Sequence, residues 1–396
     1  MLRYLPILSL FLLCACNADP APAAAPEEKT TTAKEFKADP QLVDEQEVIP
    51  LTLGADAPDF KLMGVDGSYH TLADYTAAEV LVVVFTCNHC PTAQAYEQRL
   101  KDFTADYKAK GVQVIAISPN SPLGVMYNEL GYSDLDDRYE DMLIRAKDAE
   151  FNFPYLYDGD DQAVSLKYGP AATPQAFVFD KARKLSYVGR LDKVEKPGTL
   201  NADDLRAAVD DVLAGREVAL AQTKTFGCST KWAWKADYKV KDEAKWQEEP
   251  VALNTIDIAG VETLLKNEDS GKLRLINLWA TWCGPCVAEY PDFLVLHRMY
   301  SGRDFEFISI STDKPNRGAQ ALKFLEKTNS SVTNYHFTGD DIYELVEAID
   351  PEWNGAIPYT IMVDPEGKVV YRHQAEVDFL HLRRAIVDHP LIGRYF

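Results

Sequence analysis

The sequence predicts an α/β chain in which one mixed-sheet domain occurs twice, and three observations carry that prediction. Two apolar runs, 80–85 (VLVVVF) and 275–280 (LINLWA), read as buried central strands because neither alternates in polarity. Each run leads into a Cys-x-x-Cys pair, Cys87-Asn88-His89-Cys90 and Cys283-Gly284-Pro285-Cys286, and a helical period follows. The order strand, Cys-x-x-Cys, helix, strand, helix, X-Pro, hairpin, helix then occurs in both halves without any short repeat.

The elements follow in order. Residues 57–62 and 67–72 read as a hairpin, 80–85 as the first central strand, 93–110 as a helix and 112–118 (VQVIAIS) as a second buried strand. A charged amphipathic helix is expected over 134–151, a short strand at 155–157 and a short helix at 161–168. Thr173-Pro174 precedes two strands, 175–180 and 184–189, and a helix over 202–214 closes the first half. Residues 216–250 hold three Trp and many Lys and Glu with little periodicity, and read as an extension followed by a linker. In the second half a helix over 258–267 leads into the central strand, and a helix after Cys286 follows. A strand is expected at 305–311, helices at 317–327 and 341–349, Ile357-Pro358 before strand 359–364, a hairpin partner at 367–373 and a closing helix over 377–387. The predicted organisation is a signal peptide (1–15), a tether rich in Ala, Pro, Thr and Glu (16–50), domain 1 (51–232), a linker (233–250) and domain 2 (251–396).

The chemistry sits at the cysteines. Cys283 stands where a strand hands over to a helix N-terminus, whose unpaired N–H groups and positive dipole end favour a thiolate, the species that attacks disulfides. Two intervening residues put Cys286 one turn away, within reach of a disulfide to Cys283. A structural zinc site is the alternative, but zinc wants four ligands and only one pair is present here. Glu289 lies one turn beyond Cys286; partly buried, it would have a raised pKa and could take the proton from Cys286. His89 is expected to favour the Cys87 thiolate and so to make the Cys87/Cys90 disulfide the more oxidising of the two. Ala93 occupies the place of Glu289, so domain 1 lacks that acid. Cys228 is left open between a buried structural residue, a resolving thiol and a metal ligand. Cys87 lacks a Pro-x-x-x-Thr-x-x-Cys setting, which argues against a peroxidatic site.

The segment Trp282-Cys283-Gly284-Pro285-Cys286-Val287-Ala288-Glu289-Tyr290-Pro291 resembles the TlpA/ResA-like branch of the thioredoxin superfamily, over roughly 251 to the C-terminus. Residues 51–232, with FTCNHCP and the late FGCSTKW, resemble a thioredoxin-like (redoxin) family. The resemblance implies two thioredoxin-like folds in tandem. It also implies cis bonds at Thr173-Pro174 and Ile357-Pro358, whose backbones would pair with an incoming chain, so these four residues are the candidate substrate-binding positions. The implied activity is thiol–disulfide exchange with cell-envelope proteins, apocytochrome c among the candidates, supported by a membrane reductant and needing no cofactor.

Composition and compartment agree with such a role. A formal charge of −20 argues against nucleic acid. The opening MLRYLPILSLFLLCAC is a short positive start and an apolar run, too short to span a bilayer as a mature helix. Residues 13–16 (LCAC) resemble a bacterial lipobox, which implies lipidation of Cys16 and a membrane anchor facing the periplasm; an ordinary signal peptide that leaves Cys16 free is the alternative. Fully stretched, a tether of about 30 residues would reach ~100 Å. A rival function of another class is copper handling, with Cu(I) on Cys87, His89, Cys90 and possibly Cys228, since soft thiolates suit that ion. A scaffold with a degenerate first site is the third.

Overall fold

Val80, Leu81, Val82, Val83, Val84 and Phe85 are all fully buried, and domain 1 is built around them. The structure is a computed structural model that describes residues 36–339 and 341–394. The expected signal peptide, Cys16 and most of the expected tether lie outside the described residues.

Domain 1 runs β1 (Lys61–Gly64), β2 (Tyr69–Thr71), β3 (Val80–Phe85), α1 (Pro91–Lys108), β4 (Val112–Ser118), α2 (Tyr139–Asp148), β5 (Tyr155–Tyr157), α3 (Ala163–Tyr168), β6 (Ala172–Thr173), β7 (Gln175–Phe179), β8 (Leu185–Gly189), α4 (Asp203–Leu213), β9 (Cys228–Ser229) and α5 (Ala236–Glu248). Its main sheet has the order β2-β1-β5-β4-β3-β7-β8. Strand β3 pairs parallel with β4 (Val80↔Val112) and antiparallel with β7 (Leu81↔Phe179). A central strand with neighbours on both edges and helices on both faces has no solvated side, which is why its sequence is uniformly apolar.

Domain 2 runs β10 (Asn254–Ile256), α6 (Ile258–Lys266), β11 (Leu273–Trp279), α7 (Gly284–Tyr300), β12 (Phe305–Ser311), α8 (Gly318–Lys327), β13 (Thr333–Phe337), α9 (Ile342–Ile349), β14 (Tyr359–Val363), β15 (Val369–Gln374) and α10 (Phe379–Val387). The sheet order is β10-β13-β12-β11-β14-β15, with β11 parallel to β12 and antiparallel to β14. Both halves are therefore mixed sheets flanked by helices, each with the relationship central strand, helix, parallel strand that the sequence announces.

Two of the segments that differ from expectation flank the domains. Residues 236–248, read as linker, are the helix α5, of which no residue is buried. Lys, Glu and Ala favour helix intrinsically, and without an apolar stripe there was no period to read. Residues 37–50 carry no regular structure, but they are not free chain: the Asp39 N–H donates to Asp160 Oδ1 (2.8 Å) and the Gln41 N–H to the Asp160 carbonyl (2.8 Å). Among the described residues no helix is long and apolar enough to cross a membrane.

The two domains pack directly. Val125 and Leu130, from the loop after β4, join the buried cluster of domain 2 that holds Leu296, Met299 and Tyr300. The Tyr300 hydroxyl donates to the Ser133 carbonyl (3.1 Å), and Asp134 accepts from Arg384 (3.0 Å) and Arg394 (2.9 Å).

Candidate functional site

In domain 2 the helix begins as expected. Cys283 is the N-cap of α7, with Gly284 and Pro285 in the first turn, where proline's missing N–H costs nothing. Cys283 and Cys286 are joined in a disulfide, and the Cys286 N–H points at Cys283 Sγ (3.3 Å). Cys283 Sγ lies 3.7 Å from the carbonyl oxygen of Ile357, and the Ile357-Pro358 bond is cis. A side chain at Gly284 would meet nothing within 4 Å, and Trp282 is 66% exposed. Beside them lies a groove of about 340 Å³ lined by Trp282, Pro315, Phe337, Ile342 and Ile357. The disulfide is itself nearly buried, 5% and 1% exposed for Cys283 and Cys286, and lies next to this groove, whose wall also carries Thr312, Asp313 and Lys314.

Glu289 is 3% exposed on the inner face of α7. Its Oε2 accepts from the Val377 N–H (2.9 Å), while Oε1 has no partner. Burial pushes its carboxyl up to about 7, and the charge of Glu376 adds to the effect. The acid anticipated from position alone is therefore buried and half-satisfied.

Domain 1 departs from this plan first at the residue after the cysteine pair. Pro91 follows the second cysteine, and a residue before proline is steered away from the helical region. Cys90 is accordingly extended (φ −73°, ψ 118°) and is itself the N-cap of α1. It accepts the Ala93 N–H (3.5 Å) and the Cys228 N–H (3.4 Å). Both cysteines of the pair are free thiols, 2% and 0% exposed for Cys87 and Cys90. The Thr173-Pro174 bond is cis and faces them: Cys87 Sγ lies 3.1 Å from Thr173 Oγ1, and the Cys90 thiol reaches the Thr173 carbonyl (3.3 Å).

The expected partnership of His89 with the Cys87 thiolate is corrected by this geometry. His89 Nδ1 is 2.5 Å from Asp137 Oδ2, both side chains being buried. Asp137 also accepts from the Asn88 N–H (2.8 Å), the His89 N–H (3.1 Å) and Asn120 Nδ2 (2.7 Å), and these contacts hold its carboxyl below the usual range despite burial. Burial alone would lower the imidazole; Asp137 overrides it and raises it. Burial, the bond to Cys90 and the charge of Asp137 push the Cys87 thiol well up. Burial also opposes a charge on Cys90, but the thiols of Cys228 and Cys87, the imidazolium of His89 and the Ala93 N–H together hold it well below an ordinary thiol. Of the pair, Cys90, the second cysteine, is the one whose surroundings favour the thiolate.

One participant escaped the sequence and another was left undecided by it. Asp137 is one of several acids in 134–141 and looks like part of a solvated run; the only hint was that a polar Asn-His dipeptide at a buried turn needs a partner. Cys228, left undecided, is part of the site: it packs against Cys87, Cys90 and Ala93. Among the described residues, Cys87, His89 and Asp137 form the one His/Cys/acid group whose candidate ligand atoms lie within 4.8 Å of one another.

A buried strand that delivers a Cys-x-x-Cys pair to a helix N-terminus opposite a cis-proline, in a mixed sheet flanked by helices, defines a thioredoxin-fold dithiol protein. Comparison with known proteins agrees. Residues 53–188 match the AhpC/TSA family and residues 251–382 the Redoxin family. Thioredoxin from Coprinus comatus is 30% identical over 91 residues, 23% of this chain and 83% of that protein. Thiol-disulfide oxidoreductase ResA from Oceanobacillus iheyensis is 26% identical over 139 residues, 33% of this chain, so that the chain spans 63% of that relative's length. Among solved structures, a hypothetical protein from Sinorhizobium meliloti 1021 is 35% identical with a TM-score of 0.41, covering 46% of this chain and 96% of its own. The chain belongs to the thioredoxin superfamily and carries two redoxin/AhpC-TSA domains in tandem.

Proposed function

We propose that the protein is a thiol–disulfide oxidoreductase of the bacterial cell envelope with two dithiol sites, one open and one covered. The observation that carries this reading is the Cys283–Cys286 disulfide at the N-terminus of α7, beside an uncovered Ile357 backbone and an apolar groove. In the reduced state the Cys283 thiolate, favoured by its N-cap position, attacks a substrate disulfide. One substrate sulfur leaves and a mixed disulfide forms on Cys283. Glu289, with a pKa raised to about 7, takes the proton from Cys286. The Cys286 thiolate then attacks Cys283 Sγ and releases the reduced substrate. An extended substrate segment would lie along Ile357-Pro358, as a strand is added to a free edge.

Several further assignments rest on the leader sequence and on the names of relatives. Cys16 is the lipidated residue that tethers the mature chain to a membrane on its periplasmic side, with inner or outer membrane left to the sorting machinery. The names of relatives, thiol-disulfide oxidoreductase ResA and thiol:disulfide interchange protein HelX, support thiol–disulfide exchange; protein thiols such as apocytochrome c as substrates and a membrane reductant as donor rest on the sequence resemblance. The test is a trap. Cys286→Ser should accumulate mixed disulfides through Cys283 that dithiothreitol releases, and the wild-type chain should reduce insulin; an inert Cys283/Cys286 pair in both assays sinks the reading. Cys16→Ala should leave the chain soluble after secretion.

A second reading, Cu(I) delivery from domain 1, draws on the convergence of Cys87, Cys90 and Cys228 and on the unpartnered His89 Nε2. Stoichiometric Cu(I) uptake abolished by Cys87→Ala would favour it over redox chemistry in that domain.

A further inference from the structure

Domain 1 covers its own dithiol, and the covering strand carries a thiol. Strand β9 pairs antiparallel with β6, Thr173 opposite Cys228 and Ala172 opposite Ser229. Thr173 is the residue before the cis proline, so the edge that would receive a substrate chain is already filled. In domain 2 the corresponding residue, Ile357, lies outside the strand pairings among the described residues. The cover is fastened just beyond the C-terminal end of β9. Thr230 Oγ1 donates to the Pro170 carbonyl (2.8 Å), the Lys231 N–H to Asn120 Oδ1 (2.8 Å) and the Ala233 N–H to Gln162 Oε1 (2.7 Å). At Gly227, with φ +131°, an added Cβ would fall 2.1 Å from the Thr173 carbonyl oxygen, so the strand lies as close as bare backbone permits. Of the three clustered thiols, Cys87 and Cys90 are sealed off and Cys228 alone is partly exposed, with its backbone N–H on Cys90 Sγ.

We propose that Cys228 is the entry thiol of domain 1: an external disulfide is exchanged first at Cys228, and electrons reach it from Cys87 and Cys90 through a transient Cys90–Cys228 disulfide. This rests on the oxidoreductase reading above. The sequence balances as follows. Cys228 sulfur attacks an external disulfide R–S–S–R′, its proton passing to the adjacent Cys90 thiolate and on to the departing R′S⁻. Cys90 sulfur then attacks Cys228 Sγ, breaking the mixed disulfide and releasing RS⁻. Cys87 sulfur attacks Cys90 Sγ, and its proton goes to Cys228. The external disulfide has gained two electrons, Cys87–Cys90 is the new disulfide, and Cys228 is again a thiol. Run backwards, the same steps reduce the buried pair. The substrate class is a disulfide able to reach Cys228 without adding a strand at Thr173, and therefore unlike the extended partner suited to domain 2.

The experiment oxidises fully reduced, full-length protein with oxidised glutathione, quenches it in acid at intervals, and maps disulfides by mass spectrometry. Glutathione should appear first on Cys228, then a Cys90–Cys228 crosslinked peptide, then Cys87–Cys90. Cys228→Ser should slow oxidation of the Cys87/Cys90 pair about a hundredfold, the retardation that a local opening of a few kcal/mol imposes on sealed thiols. Gly227→Ala keeps all three thiols but displaces the cover, and should make Cys87/Cys90 directly reactive while the Cys90–Cys228 species disappears. Unchanged Cys87/Cys90 oxidation in Cys228→Ser, or first labelling of the pair in the wild type, overturns the relay. The Cys283/Cys286 pair reports in the same tube: if it too is inert, the oxidoreductase reading falls with the relay, whereas exchange there alone condemns only the relay.

Discussion

Cys90 and Cys283 hold the same station, the residue just before the first turn of a helix, although one is the second cysteine of its pair and the other the first. The placement of one proline decides it: Pro91 after the pair in domain 1, Pro285 within the pair in domain 2. Each N-cap sulfur takes the free N–H groups and the positive end of its helix dipole, and so is the thiol favoured as a thiolate.

The first prediction concerns the two potentials. The thiols of Cys228 and Cys87, the charge of His89 and backbone N–H groups all favour the thiolate of Cys90, and so stabilise the reduced form. The Cys87/Cys90 couple should therefore be more oxidising than Cys283/Cys286. His89→Gln, which keeps a donor for Asp137 but removes the charge, should lower the domain 1 potential by about 30 mV, a factor of ten in the equilibrium. Titration of the full chain in glutathione buffers, read peptide by peptide, measures both. Equal or reversed potentials would refute the account.

The second concerns Glu289. Its carboxyl is raised from 4.5 to about 7 because it is buried, so the folded state binds a proton more tightly than the unfolded chain does. Domain 2 should thus gain stability as pH falls from about 7 towards 4.5, and Glu289→Gln should be more stable than wild type at pH 8 by about 2 kcal/mol. Release of the mixed disulfide should lose its apparent pKa near 7 in the same variant and slow by at least about tenfold. Denaturant melts at pH 5 and 8 and stopped-flow release rates test both halves. A variant that is slower but shows the same pH profile would assign Glu289 a structural role instead.

The third concerns the buried His89–Asp137 pair. Asp137 is depressed, so its contribution is present above its unfolded pKa and disappears as pH falls through the folded one. His89 is raised, so its contribution is full below its unfolded pKa and disappears as pH rises through the folded one. Both are complete between roughly pH 4 and 6.5. Asp137→Asn should cost domain 1 about 3 kcal/mol in that window and less on either side. Urea midpoints at pH 3, 5.5 and 9 give the comparison; a cost independent of pH would show that the pair is not ionised.

Much of this architecture was legible because buried strands advertise themselves. β3, β4, β5 and β12 have the bounds read from the sequence, since short, mainly apolar runs between turns have few alternatives. β13 was missed because its sequence, TNYHF, is half polar; Asn334 is buried there because Ser309, Ser330, Tyr290 and three backbone carbonyls satisfy its side chain, and no local pattern reveals that. The candidate residues Cys283, Cys286 and Glu289 could be placed together from the sequence, since they sit on the N-cap and first turns of one helix. Those of the covered site could not: Asp137 is 48 residues from His89 and Cys228 is 138 from Cys90, distances that only tertiary packing closes.

The last prediction follows from the joint between the domains. Asp134 belongs to domain 1, is almost fully buried, and accepts from Arg384 and Arg394 at the far end of domain 2. Arg384 also reaches Asp148, and the Tyr300 hydroxyl holds the Ser133 carbonyl beside Asp134. Two guanidiniums on one carboxylate keep that carboxyl below its usual range in spite of burial, so the link persists into mild acid. Because the arginines stay partly exposed, loss of the acid leaves them solvated rather than stranded, and the cost should be about 1–3 kcal/mol rather than that of a sealed pair. That is enough to uncouple two domains joined by a partly polar interface. Calorimetry of wild type should therefore show one transition and Asp134→Ala two, the lower shifted downward by several degrees. A single unshifted transition would mean that Val125 and Leu130, packed among Leu296, Met299 and Tyr300, hold the domains together without help from charge.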